Sequence, residues 1–508
     1  MPALVTHKFR QFNADQFYES LSESSPSYLY MFIGRIRAWG TESSPPTPLD
    51  ALANTEYDFW RDMMSAKKIS SSEATYCIPR KNWATTVVYN EYDPDNPNLF
   101  TSANGHYVMS ADYRVYKCLF NNNGQGSTVE PSGTANTILT TGDKYKWKYM
   151  YSISAADALA FVTEDYIPVK NIGASDDGSL QWGIEQGASN GAIQIIDVTN
   201  GGTAFKGYNN GTLAAVSSNL SMTLASSANA TGDFYNGSML YITGGTGAGQ
   251  QQEIVDYASG TKVVTLGAAF QTTPSTDSTY QVAPKVTITG DGAGCNAICT
   301  MNTTSNTVYS VTVKSIGQSY SQATVALTAN GLTGALATAY IPPPGGHGNN
   351  AIKELAGYNI MLNAQFDKTE SDKFTVSNDF RKLGLLIDPL TDAGAAATAT
   401  RYDQTLQLTY SGNSAVWTAD ELVTGNTSGA IGYVVEANTT VLKLVSANGT
   451  FSATEVVDGS TSGNAGTLTA VANGELQLYS GELLYSEFRA PITRSSTQIE
   501  DIKLVINF

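Results

Sequence analysis

At 508 residues the chain has room for roughly three domains, and 46 Gly, 28 Tyr and abundant Ser and Thr beside only 15% charged residues point to many short strands and turns. A net charge of -16 excludes a phosphate backbone as partner and disfavours an anionic membrane surface, since both are recognised through clustered Lys and Arg. Cys77, Cys118, Cys295 and Cys299 are too few and too scattered for a disulfide framework, and no apolar run has the length of a signal peptide or a membrane span, so the expectation is a soluble chain with free thiols.

In chain order, residues 5–9 read as a short strand, and residues 13–21 as a helix behind an Asn or Asp cap, with Phe17, Tyr18 and Leu21 at helical spacing. Residues 27–36 (SYLYMFIGRI) are apolar on both faces and predict a fully buried strand. Pro45, Pro46 and Pro48 form a rigid loop before a second helix over residues 55–66. There Thr55 and Asp58 suggest a capping box, and Tyr57, Trp60 and Met64 share a stripe whose plain reading is core packing.

Residues 74–79 predict a strand. Residues 92–98 (YDPDNPN) have oxygens at calcium-loop spacing, but two prolines and the missing bidentate Glu make them a turn. Residues 113–120 and 144–153 (KYKWKYMYSI) predict strands. In the second, Tyr145, Trp147, Tyr149, Tyr151 and Ile153 face one way and Lys144, Lys146 and Lys148 the other, which reads as a buried aromatic face with a solvated basic one. Ser154 and Asp157 then cap a helix ending near Phe161.

Between residues 176 and 345 there is no Arg and only four Lys, which marks a separate all-β module. Its strand candidates are residues 192–198, 238–243, 251–257, 262–266 and 308–313. GGTGAG at 244–249 follows a strand as a dinucleotide loop does, but QQQEIVDY after it alternates like the second strand of a hairpin, not a helix. Cys295 and Cys299 lack the second ligand pair that a zinc site needs.

Pro342, Pro343 and Pro344 end the module, and residues 360–366 and 380–387 again predict core strands. ELVTGNTSGAIG at 421–432 and EVVDGSTSGNAG at 455–466 then repeat at an offset of 455 - 421 = 34 residues, two copies of one β-hairpin unit. Asn, Thr and Trp417 there could supply sugar contacts. Finally Ile502, Leu504, Ile506 and Phe508 alternate with polar neighbours, so the last strand must pair with an earlier one.

Catalytic signals are poor: His7, His106 and His347 are the only histidines, and none lies in a nucleophile motif. On the residues alone the protein reads as an assembly or binding protein and not an enzyme.

Several pieces come in one telling order. They are VTHKFR (5–10), FIGR followed by Trp39, PPTPLD (45–50), Trp60 with Met63 and Met64, IPRKNW (78–83), VYKCL (115–119), YKWKYMYSI and GELLYSEFRAPI. Together they resemble the baseplate wedge subunit family, the eighth gene product, of T-even-like contractile-tailed phages. The resemblance covers about residues 1–170, 355–390 and 478–508, with DFRKLGLLIDPL (379–390) matching in character. The segments between resemble decorations of marine phage and cyanophage versions.

The resemblance implies a mainly β chain: a β-sandwich core with short helical excursions, plus two inserted all-β modules. The expected boundaries are 1–173 (core), 174–345 (insert), 346–396 (core), 397–475 (two-repeat insert) and 476–508 (closing strands). It further implies a structural virion protein of the tail baseplate, assembled in the host cytoplasm. Such a protein would be a homodimer that contacts other wedge proteins and takes part in triggering contraction, with no cofactor, metal, nucleic acid or membrane. Aromatic and Arg enrichment at interfaces nominates Trp60, Met64, Arg80, Trp83, Tyr485 and Arg489 as subunit contacts, with intramolecular core as the competing role. The alternative function is a receptor- or carbohydrate-binding tail protein, trimeric and reading glycans through the inserts.

Overall fold

The last strand, Glu500–Asn507, finds its partner in Asn359–Phe366, antiparallel and in unbroken register from Asn359 opposite Asn507 to Phe366 opposite Glu500. A computed structural model describes residues 4–23, 27–35, 38–51, 54–173, 175–203, 205–302, 304–367, 379–412, 416–491 and 499–508. It is mainly β and divides into two compact units.

The first unit takes Met1–Ile78, Ala155–Val169 and Gly357–Phe508. One of its sheets runs in the order Glu500–Asn507, Asn359–Phe366, Ala74–Pro79, Tyr166–Val169. The other runs Arg401–Asp403, Met63–Lys68, Leu29–Gly34, Lys382–Ile387, Glu482–Phe488. Leu29, Met31 and Ile33 point between the sheets with Leu383 and Leu385, against Ile360, Leu362, Ile502 and Leu504. Tyr30 and Phe32, on the opposite face, meet Phe59 and Trp60 of the helix Asn54–Asp62. Both faces of Leu29–Gly34 are therefore covered, as its apolar run predicts.

Two expectations fail here. Residues 7–9, expected in a strand, begin the helix His7–Ser20, whose buried side is set by Gln11 and Ala14, with Phe17 and Tyr18 packed on the core. Val5 and Phe9, apolar positions of the expected strand, are mostly exposed. The second helix stops at Asp62, and Met64 belongs to the strand Met63–Lys68, which pairs with Leu29–Gly34 on one side and Arg401–Asp403 on the other. Long-range pairing overrides the local helical spacing. The expected Thr55 cap lies outside the described side chains.

The second unit takes Pro79–Ser154 and Lys170–Ala356. It thus includes residues 79–154, expected in the core, together with the first insert. The sheet Tyr107–Met109, Arg114–Phe120, Lys146–Ser152, Leu139–Thr140 carries the aromatic strand. A seven-stranded sheet includes the hairpin of Met239–Gly244 with Gln251–Ala258 around GGTGAG, as the alternation indicates. Cys295 and Cys299 sit on the strand Ala293–Asn302 as free thiols. The insert is not all β: Leu180–Gln186 is a helix capped by Ser179, whose Oγ accepts from Trp182 N at 3.1 Å. Among the described residues of the chain, no helix is long and apolar enough to cross a membrane.

The repeat forms a closed six-stranded barrel, in the order Leu406–Ser411, Val441–Asn448, Ile431–Ala437, Leu422–Gly425, Val456–Gly459, Ala465–Ala472. The 34-residue offset maps each strand of the first copy onto one of the second, and the pairs Val423 with Gly459 and Gly425 with Val457 lie symmetrically about Thr424 opposite Asp458. Arg401–Asp403, expected inside this module, belongs to the five-stranded sheet.

Each copy holds the other's turn. Glu421 accepts from Thr461 N, Ser462 N and Ser462 Oγ at 2.9–3.1 Å, and its repeat mate Glu455 accepts from Thr427 N, Ser428 N and Ser428 Oγ at 2.8–3.0 Å. A Cβ on Gly425 would stand 2.7 Å from Glu455 Oε2, and one on Gly459 2.6 Å from Glu421 Oε2. The repeated glycines therefore make room for the repeated carboxylates.

Burial pushes both carboxyls up, but these donors outweigh it and hold them below the usual value. The carboxylates thus contribute stability at neutral pH that is lost as pH falls below about 4.5 through the lowered folded values. Glu421→Ala strands buried donors and should lower barrel stability by about 1–3 kcal/mol. Thermal unfolding of the variant should lose part of the steep acid-side decline of the parent; an unchanged midpoint at pH 7 would refute the capping role.

Candidate functional site

The six nominated contact residues fall into two groups. Trp60, 2% exposed, is packed with Tyr30, Phe32 and Phe59, and Met64 is fully buried between the two sheets. They have no surface to offer a partner, so these two nominations are corrected to core. Their stripe, read from the sequence as core packing, is core, and the competing intramolecular role holds for both.

The other four are partly accessible. In the second unit, Arg80 Nε donates to Asn82 Oδ1 at 3.0 Å, and Trp83 Nε1 donates to Ser127 Oγ at 3.1 Å while its ring packs against the Tyr89 and Trp147 cluster. In the first, Tyr485 OH donates to Glu487 Oε2 at 2.9 Å and Arg489 Nε lies 3.3 Å from Glu487 Oε1. One carboxylate thus joins side chains two residues before and two residues after it, at the end of an edge strand. Burial and Glu487 push the Tyr485 hydroxyl up to about 12. Trp39 Nε1 donates to the Arg489 carbonyl at 2.8 Å and so fixes the strand's end.

Sequence reasoning missed a buried polar cluster in the second unit. Lys117 and Glu354, both almost wholly buried, form an ion pair, and Glu354 Oε1 also accepts from Gly348 N at 2.8 Å and Asn350 N at 3.2 Å. Lys117 Nζ lies 4.6 Å from the centre of the Tyr92 ring, which also meets His347 edge-on at 4.8 Å. His106 Nε2 donates to the Glu354 carbonyl at 3.0 Å. Lys148, 1% exposed, donates to Asn136 O at 2.5 Å and Asn136 Oδ1 at 2.7 Å.

The basic face of the aromatic strand is therefore only partly solvated. Lys148 is buried and Lys146 half-buried, while Lys144 is exposed and donates to Tyr309 OH at 2.5 Å. Alternation assigns side chains to faces but does not say whether a face is covered.

Burial drives the group protonations. It lowers Lys148 to about 8 and His106 to about 4, moves His347 well below 6.5, and lowers Lys117 despite the Glu354 charge that opposes it. Both histidines are neutral in the fold. Groups this enclosed hold loops in place and are shut away from a substrate. Among the described residues, no three His, Cys, Asp or Glu side chains meet where they could hold a metal ion.

Comparison with known proteins adds two findings. Residues 3–129 match the family model Phage-Gp8, described as Bacteriophage T4, Gp8. The baseplate wedge protein gp8 of Enterobacteria phage T4 is 24% identical over 218 residues, covering 36% of this chain and 65% of that protein. The match thus spans a little under two thirds of the relative's length.

The buried cluster sets an acid response. Because the folded His106 titrates near 4 and the unfolded residue near 6.5, the unfolded chain binds the proton first as pH falls through this window. His106 alone then costs the fold about 3 kcal/mol by pH 4, and His347 acts in the same direction. Denaturant unfolding at pH 7, 6 and 5 should show this decline, less steep in His106→Gln. Glu354→Gln leaves Lys117 charged and unpaired and should cost about 3–5 kcal/mol, partly recovered in the double variant with Lys117→Met. Equal stability of the single and double variants would count against the ion pair.

Proposed function

We propose, from the match of residues 3–129 to the Gp8 family model and the similarity to a phage baseplate wedge protein, that this chain is a structural subunit of a tail baseplate wedge. That match carries the reading. The fold supports it: the sequence offers no catalytic motif, and the buried ionisable groups are occupied in packing.

The first unit is internally braced. Its sandwich is closed by a terminal strand, and its barrel is cross-braced by paired carboxylates. Such a piece contributes by presenting surfaces, so the energy that separates one baseplate arrangement from another resides in its contacts with neighbours. We assign it a homodimeric state in the virion baseplate and contacts with other wedge proteins, assembled in the host cytoplasm, and a part in the rearrangement that triggers contraction. Arg80, Trp83, Tyr485 and Arg489 are the contact candidates that remain partly exposed.

Light scattering of the purified chain, alone and mixed with the other baseplate proteins of the same genome, tests this. A dimer that enters a larger complex is expected. Arg489→Ala should weaken that complex while the thermal midpoint holds, and Trp83→Ala should weaken it while the chain, though less stable, stays folded. A stable trimer that ignores those proteins and binds host glycans would overturn the wedge reading in favour of a receptor-binding tail protein.

A further inference from the structure

The five-stranded sheet ends on Glu482–Phe488, which pairs with Lys382–Ile387 on one side and, among the described residues, with no strand on the other. An open edge of this kind is a template for another extended segment. Beside it lies a cleft of about 570 Å³ between residues 47–51 with Glu56 on one wall and residues 482–486 on the other. Its apolar groups reach solvent: Leu49 is 76% exposed and Leu484 47%. Its charged groups are Asp50, Glu56 and Glu482, carboxylates without a Lys or Arg among the lining residues. The chemistry asks for an extended, apolar and basic occupant.

The same unit carries a segment of that description. Residues 4–12 read LVTHKFRQF, with no acid and with Lys8 and Arg10, in a chain of net charge -16. Leu4 is 84% exposed, Val5 67%, Phe9 55% and Phe12 57%, a concentration of exposed apolar surface. Thr6 is extended (φ -76, ψ 158) immediately before the helix His7–Ser20. The guanidinium of Arg10 lies 5.5 Å from the centre of the Tyr358 ring, which steadies the basic turn.

We propose that the extended Leu4 and Val5 of one copy lie in this cleft on a second copy, adding a short strand to the edge and setting Lys8 and Arg10 against Asp50, Glu56 and Glu482. Reciprocal exchange of the two segments covers both exposed apolar surfaces at once and satisfies two open edges. The proposal rests on the homodimer reading above and names its contacts.

The test uses the full chain. Glu56→Lys with Glu482→Lys, and separately Lys8→Glu with Arg10→Glu, should each raise the dimer dissociation constant at least tenfold by sedimentation, and the combined variant should recover most of the loss. Leu4→Cys with Leu484→Cys should oxidise to a covalent dimer, while neither single cysteine variant does. This pair changes no charge and decides the matter if a reversed variant fails to fold. Charge-reversed variants that dimerise like the parent, or a cysteine pair that closes within one chain, overturn the cleft assignment and leave the dimer standing. A monomeric parent sinks the dimer reading as well.

Discussion

The eight-residue pairing of Asn359–Phe366 with Glu500–Asn507 is the constraint on which the first unit depends. It brings Ile502 and Leu504 onto the same face as Ile360 and Leu362, and that face is one wall of the sandwich core. A slip by one residue would turn every one of these side chains to the opposite face, so hydrophobic burial fixes the register. The helix His7–Ser20 then closes the end, with the Phe17 ring 5.6 Å from that of Phe508.

Charges fasten the barrel to this sandwich. Arg35 binds Asp379 on one side and Asp420 of the barrel on the other, its Nε donating to Asp420 Oδ1 at 2.6 Å. Arg381 extends the network to Asp379 at 2.6 Å and Glu42 at 3.0 Å. Nearby Asp62 takes Lys382 at 2.6 Å and the Ser446 hydroxyl, and Val435 and Val445 of the barrel enter the sandwich core. Apolar contact supplies adhesion here and the buried ion pairs supply direction, since a misplaced barrel would leave charges unpaired.

Much of this was legible in the sequence where the signal is local. The strand at residues 74–79, the terminal alternation and the 34-residue repeat each depend on neighbours in the chain, and each stands as read. Met63–Lys68 was hidden because both of its pairing partners, one of them more than 330 residues away, decide its conformation. The Lys117 and Glu354 pair was hidden for the same reason: its members are 237 residues apart and neither has a motif around it. The cleft at the sheet edge is formed by residues near 50 and near 484, so no window of sequence contains it.

The sheet order carries a consequence for biosynthesis. Leu29–Gly34 emerges from the ribosome early, yet its sheet partner Lys382–Ile387 comes some 350 residues later, and that strand's other neighbour and the opposing sheet are completed only when residues 482–507 have followed. At about 5–20 residues per second the apolar first strand waits tens of seconds for its cover. A nascent chain must be shielded for that interval, and a product cut before residue 482 lacks two of the strands that seal the sandwich. Only a chain translated past that point can close both sheets of this sandwich.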